Sequence, residues 1–211
     1  MTGKFTLLVA NGVLAEDRLR KIEPGAVQSV VATDGAAQQL FRLGIRPEVI
    51  IGDLDSISPE ELETFSGSQI IRRPSQSLND LEKALQYCRE HNFRRLNIFG
   101  ITGGREDHTL TNFSVLARYL EDFEMEIVTP FATIFPVRDQ FSYTGNPGQL
   151  ISLLPFGESV GVTTQGLKYP LQRARLALGL QEGLSNQIID RTFEVTLQDG
   201  LLLVFINHSA L

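Results

Sequence analysis

The sequence predicts an α/β protein: a mainly parallel sheet flanked by helices over residues 1–138, then a smaller all-β domain over 139–211. Three observations predict it. Short aliphatic runs alternate with helix-period segments through the first two-thirds of the chain, as in repeated strand–helix–strand units. Those runs are apolar throughout, which suits strands covered on both faces. After about Val137 the helical periods stop, and short strand-like runs separated by turn residues take over. The first part is therefore Rossmann-like in layout and the second sandwich- or barrel-like.

The strand candidates of the first part are Phe5 to Val9, Ser29 to Ala32, Glu48 to Ile51, Gln69 to Ile71, Leu96 to Phe99 and Glu126 to Val128. A helix over Ala36 to Leu43 ends at Gly44, a residue that tolerates the left-handed cap, and Pro47 follows. Ser58-Pro59-Glu60-Glu61 reads as a helix start, with Ser as cap and Pro in the first position. Leu78, Leu81, Leu85 and Cys88 make one apolar stripe, with Ser77 as the expected cap. Leu110, Phe113, Leu116, Leu120 and Phe123 make a second. In the tail, Phe141 to Tyr143, Leu150 to Leu154, Val160 to Thr164 and Arg175 to Leu178 are strand candidates, and Gly145 to Gly148 is a turn. Phe193, Val195 and Leu197 alternate with polar residues. Asp199-Gly200 then turns the chain into Leu201 to Ile206, which predicts a β-hairpin. A unit of about 70 residues has a marginal core, so it is expected to pack on the first domain, on a second copy of itself, or on both.

Composition narrows the function. The formal charge is −6, which gives no long-range attraction for a phosphate backbone and argues against nucleic acid. A single small polyanion is still accessible if a metal ion neutralises it. One cysteine, Cys88, excludes an internal disulfide and makes a thiolate zinc site implausible. The apolar run ending at Ala10 is too short for a signal-peptide core, and no apolar stretch is long enough to span a membrane. A cytoplasmic location is expected.

Four motifs carry the chemistry, each at a strand end or a helix start. The apolar strand Ile50-Ile51 runs into Gly52-Asp53-Leu54-Asp55, two carboxylates one residue apart. Ligands of open α/β sheets bind beyond the strands' carboxyl ends. Hard oxygen donors there suit Mg²⁺ or Mn²⁺. Asn79-Asp80-Leu81-Glu82-Lys83 opens a helix; Asp80 and Lys83 fit either a site or an ordinary first turn. Phe99-Gly100-Ile101-Thr102-Gly103-Gly104-Arg105-Glu106-Asp107-His108 joins a strand to a helix, where backbone N–H groups hold anions, and Arg105 adds a planar fork of donors. It is neither a P-loop nor the Gly-x-Gly-x-x-Gly of dinucleotide sites. Thr33-Asp34-Gly35-Ala36 is the fourth. Several carboxylates gathered at one sheet edge would repel unless a cation joined them. A metal–phosphate site follows.

These motifs, in this order and spacing, resemble the thiamine pyrophosphokinase family. The resemblance runs from Asp34-Gly35-Ala36-Ala37 through Gly44 to Pro47, Ile50 to Ile57, Asn79 to Leu85 and Gly103 to His108. It continues with Gly166-Leu167-Lys168-Tyr169-Pro170-Leu171 and Ser185-Asn186. It implies transfer of a pyrophosphoryl group from ATP to the hydroxyethyl oxygen of thiamine, giving thiamine diphosphate and AMP, and a homodimer. It places Asp53, Asp55 and Asp80 at the metal, and Asp34, Gln76, Asn79, Gly104 and Arg105 at ATP. Asp80, Lys83, Arg105 and Asp107 would be catalytic, with Tyr169, Ser185 and Asn186 at thiamine. The chain departs from the family pattern with Gln38 for Asn, Ser75 for Asp, Asn79 for Thr, Tyr169 for Trp and Leu184 for Thr. Two rival readings are a metal-dependent nucleotide-sugar glycosyltransferase, and a thiamine- or nucleotide-binding sensor without turnover.

Overall fold

A computed structural model describes residues 3–55, 57–75 and 77–208. The chain divides into two compact units, Met1–Pro130 and Phe131–Leu211. The division falls earlier than the expected 138/139. Ala132–Val137 (β7) pairs along its length with Asp199–Asn207 (β13), so it belongs to the second unit.

In the first unit six strands are parallel: β1 (Phe5–Val9), β2 (Val27–Thr33), β3 (Val49–Gly52), β4 (Gln69–Arg72), β5 (Arg95–Phe99) and β6 (Glu124–Val128). Their order is β4-β3-β2-β1-β5-β6. The direction of chain progression therefore reverses between β1 and β5, where the crevice of an open parallel sheet forms. The apolar runs are buried on both sides. Leu7, Val9, Val30, Ala32 and Ile50 share one cluster with Ala36, Ala37 and Leu40 of α2 (Asp34–Arg42). The alternate residues Leu8, Val31 and Ile51 are fully buried, and α4 (Asp80–Glu90) also packs on β2 and β3. Each such Leu, Ile or Val contributes about 1.5–3 kcal/mol by leaving water.

The helix signals hold at their ends. Gly44 has φ 75; its N–H donates to Phe41 O and that of Ile45 to Leu40 O, the paired bonds of a Schellman cap. The helix α3 (Pro59–Thr64) begins at its proline. Two expectations are corrected. Asn79 and not Ser77 caps α4, its Oδ1 accepting the Glu82 N–H at 2.9 Å. The second stripe is broken: α5 (Glu106–Arg118) stops before Leu120, and Leu110 is 70% exposed because the first turns of α5 lie open to solvent. A four-residue helix, α1 (Glu16–Leu19), and a 3-10 turn at Pro24–Ala26 complete the unit among the described residues.

The second unit is antiparallel throughout. Its centre is β9 (Leu150–Gln165), one strand of sixteen residues where two were expected. β13 lies on one side of it, with β11 (Gly183–Gln187) and β10 (Ala174–Ala177) paired to it as well. The last residues of β9 pair instead with β12 (Thr192–Thr196), which pairs with β8 (Gln140–Thr144). Gly157, with φ 89, lies where the β9–β13 register shifts, so the strand continues through a bulge there. The core joins Phe135, Ile151, Leu153, Val162, Phe193, Val195, Leu202 and Val204.

The expected hairpin does not form. β12 pairs with β8 and β9, and β13 pairs with β7 and β9. Gly200 serves another purpose there. With φ 104, a Cβ on it would meet Glu158 O at 2.2 Å, so the glycine lets β13 approach β9 closely. Asp-Gly announces a sharp change of direction; it does not choose the partner strand.

Candidate active site

The first unit holds a cleft of about 440 Å³ at the carboxyl ends of its strands. Its walls are the turns that leave β1, β3 and β5, the last residue of β2, and the first turns of α4 and of α5. The cleft therefore straddles the reversal between β1 and β5. Two loops are locked together there. The Gly12 N–H donates to Gly100 O at 2.6 Å and the Val13 N–H to Thr102 O at 2.8 Å. A Cβ on Gly12 would meet Thr102 O at 2.3 Å and Gly100 O at 2.4 Å, so only glycine permits this approach.

Lys83 stands at the centre of the charge arrangement. It is 2% exposed, and its Nζ lies 2.8 Å from Asp80 Oδ1 and 3.9 Å from Asp53 Oδ2. A buried ammonium needs such partners, because its desolvation would otherwise displace the proton. The two carboxylates arrive from β3 and from α4, and they converge on one cation-sized point. Behind them Asp34 is buried, its Oδ1 accepting the Gly35 N–H at 2.7 Å and its Oδ2 the Leu54 N–H at 3.0 Å. Burial, then the negative charge of Asp80, pushes the Asp34 carboxyl above its ordinary value, while its backbone donors pull the other way. Negative charge is in excess here.

This donor set fits a hard divalent cation. Among the described residues no three Asp, Glu, His or Cys side chains form a metal-holding group. Mg²⁺ needs fewer, since it is commonly held by one or two carboxylates with waters and substrate phosphates. Asp53 and Asp80 are the pair that could supply them. Asp55 is exposed and reaches the group through its backbone N–H, which donates to Asp53 Oδ1 at 3.2 Å.

Beside Asp80, Asn79 Nδ2 donates to Asn112 Oδ1 at 3.1 Å, and Asn112 Nδ2 donates to Ile101 O at 2.9 Å. That relay ties α4 and α5 to the loop after β5. Gly104, Arg105 and His108 line the same cleft. Arg105 holds Asp107 in a two-pronged contact at 3.1 and 2.6 Å, with both side chains largely exposed. The guanidinium keeps the Asp107 carboxyl below its usual range, and Asp107 in turn raises the affinity of Arg105 for its proton.

The second unit carries the other set of expected site residues. Asn186, 4% exposed, accepts the Tyr169 N–H at 3.0 Å and donates to Tyr169 O at 2.7 Å. Its oxygen also accepts the Gln187 N–H at 2.9 Å. Ser185 is exposed at φ 54, its N–H donating to Ser152 Oγ at 3.1 Å. The Tyr169 ring is exposed, with Lys168 Nζ 5.5 Å from its centroid.

A family model described as thiamin pyrophosphokinase, catalytic domain, matches residues 25–129, and one described as thiamin pyrophosphokinase, vitamin B1 binding domain, matches 139–202. The chain belongs to the thiamine pyrophosphokinase family. Among its relatives, the thiamine pyrophosphokinase of Bacillus subtilis is 28% identical over 181 residues, covering 82% of this chain and 85% of that one. That of Oryza sativa, thiamine pyrophosphokinase 1, is 27% identical over 202 residues, covering 82% and 76%. A crystal structure of the Bacillus subtilis protein shares the fold at a TM-score of 0.86 and 24% identity, over 98% of this chain and all of that one. The fold is thus the family's: mixed α/β, with extensive sheet and few helices.

Within this family member the structure gathers Asp53, Asn79, Asp80, Lys83, Gly104 and Arg105 around one cleft. Asp34 and Asp107 are not among its lining residues, and Gln76 lies outside the described residues. Tyr169, Ser185 and Asn186 belong to the second unit. Sequence reading missed Asn11, Gly12, Thr109 and Asn112 in the lining. Asn11-Gly12 directly follows an apolar strand, and the strand-end rule applied to the other motifs would have found it.

Proposed function

We propose that this chain transfers the pyrophosphoryl group of ATP to the hydroxyethyl oxygen of thiamine, releasing AMP, with Mg²⁺ held by Asp53 and Asp80 and with Mn²⁺ as a substitute. The observation that carries the reading is the cleft itself: a buried Lys83 flanked by two carboxylates, facing a Gly-Gly-Arg loop across the sheet's reversal point. The order β4-β3-β2-β1-β5-β6 supports the Rossmann-like description of the first unit, and the two strand groups sharing β9 support the sandwich-like description of the second. Family membership favours this reading over the glycosyltransferase and the sensor.

The metal ion, when bound, neutralises phosphate charge and draws electron density from the reacting phosphorus. The chain's own groups do the rest. Lys83 and Arg105 stabilise the charge that develops on the transferred phosphates. Gly104 offers backbone to a phosphate, and Asn79 with Asn112 holds the wall on which the nucleotide lies. The alcohol proton passes to a carboxylate, Asp80 or Asp107. Asp107 is a weak acceptor while Arg105 grips it, so it serves only after Arg105 has turned to phosphate. Tyr169, on a loop held by Asn186, offers an aromatic face to the thiamine cation, with Ser185 beside it. A homodimer located in the cytoplasm completes the proposal. No described helix is long and apolar enough to cross a membrane.

Incubation of the purified protein with ATP, Mg²⁺ and thiamine tests it. AMP and thiamine diphosphate should appear in equal amounts, and AMP should not form without thiamine. Release of ADP with thiamine monophosphate would make the protein a simple kinase. Cleavage of a sugar nucleotide would restore the transferase, and binding without turnover the sensor.

A further inference from the structure

Asp34 is 2% exposed, does not line the cleft, and has both carboxylate oxygens occupied by backbone donors. One of those donors is Leu54, whose φ of 68 is left-handed backbone that a leucine adopts only under constraint. Two residues earlier, Gly52 leaves no room for a side chain: a Cβ there would stand 2.5 Å from Asp34 Cγ. The turn Gly52–Asp55 is therefore wrapped around the Asp34 carboxyl. Gly52 packs against its carbon and Leu54 is bonded to its edge. Asp53, the residue between them, reaches Lys83.

We propose that Asp34 is a positioning residue that moulds the turn after β3 and so decides where the Asp53 carboxylate stands. It acts on the phosphate-binding machinery without touching metal or nucleotide. Asp34 differs from Asp53 and Asp80 in its place: it is buried and does not line the cleft, and each of its oxygens is turned to a backbone donor. The use of Asp53 rests on the pyrophosphokinase reading; the moulding of the turn does not.

The test is a pair of substitutions and their combination. Asp34→Asn keeps the size of the side chain but replaces one acceptor with a donor, so one of the two backbone bonds is lost. It should lower kcat and weaken Mn²⁺ binding, read by electron paramagnetic resonance with a non-hydrolysable ATP analogue, each by about tenfold, with little change in thiamine KM. Leu54→Gly removes the penalty on left-handed backbone. Added to Asp34→Asn, it should recover most of both losses, because the turn no longer needs the clamp. A double variant no better than Asp34→Asn in either readout would make Asp34 a direct ligand and overturn the proposal. The amide proton of Leu54 or of Gly35, observed in the ¹⁵N-labelled protein, should shift upfield in Asp34→Asn; both resonances unmoved would show that no clamp exists. If Asp34→Asn does not fold, Gly52→Ala disturbs the same contact from its other side, and full Mn²⁺ affinity in that variant would refute the idea. A wild-type protein that forms no AMP from ATP and thiamine would remove the proposed reaction, while the amide resonances would still decide the clamp.

Discussion

Replacing Lys83 with methionine separates charge from volume at a buried ammonium. At 2.8 and 3.9 Å, and an effective dielectric of about 20, the gross attractions to Asp80 and Asp53 are about 6 and 4 kcal/mol. Most of that gain is spent in removing the ammonium from water, which costs several kcal/mol. Methionine has no such cost. The two carboxylates left behind are partly exposed and regain hydration, so the loss falls below the 3–5 kcal/mol of a fully buried broken pair. A net destabilisation of about 2 kcal/mol follows, small enough for the protein to remain folded. Urea unfolding measures it. Mg²⁺ should return part of the loss in Lys83→Met, and stabilise that variant more than wild type, because the ion takes the ammonium's place between the carboxylates. AMP release at saturating substrates should fall by about a hundred- to a thousandfold, as for loss of a preorganised charge at developing phosphate charge. Stability indifferent to Mg²⁺, together with AMP release within tenfold of wild type, would refute the arrangement.

Four further outcomes are expected. Burial pushes the Cys88 thiol up to about 12, so it should resist thiol reagents in the native state at pH 8 and react fully in urea; rapid native labelling would contradict its burial. Burial also raises the Glu126 carboxyl above its ordinary 4.5. Its contribution to stability is thus complete below that value and is lost as pH rises through the raised one, so Glu126→Gln should flatten the unfolding free energy across this window and gain stability at pH 7. Asn186→Ala leaves the backbone N–H and C=O of Tyr169 without their partner at about 1–3 kcal/mol, and should raise the thiamine KM while sparing that of ATP. Gly12→Ala forces a Cβ against two backbone carbonyls and should weaken binding of a fluorescent ATP analogue; unchanged affinity would mean that the two loops part at little cost.

Much of the first unit was readable because its signals are local. Short, continuous apolar runs between polar turns suit strands covered on both faces, and Leu7, Leu8, Val30 and Val31 are buried as that pattern demands. Gly44 announced the end of α2 because only a residue without a Cβ enters the left-handed cap cheaply. Asp53, Asp80 and Arg105 could be chosen because strand ends and helix starts are where a parallel sheet offers its ligands space. What the chain order cannot encode is which distant segments meet. The period-2 pattern of Phe193, Val195 and Leu197 is the same whether the partner is β13 or β9, and only the fold settled on β9 and β8. The burial of Lys83, invisible in a helix whose lysines usually face water, arises because β3 brings Asp53 to it. The surroundings of Asp34 and Asn186 were decided in the same way. Each is a polar residue whose hydrogen bonds are all made to backbone that the fold carries to it, from Leu54 in one case and Tyr169 in the other.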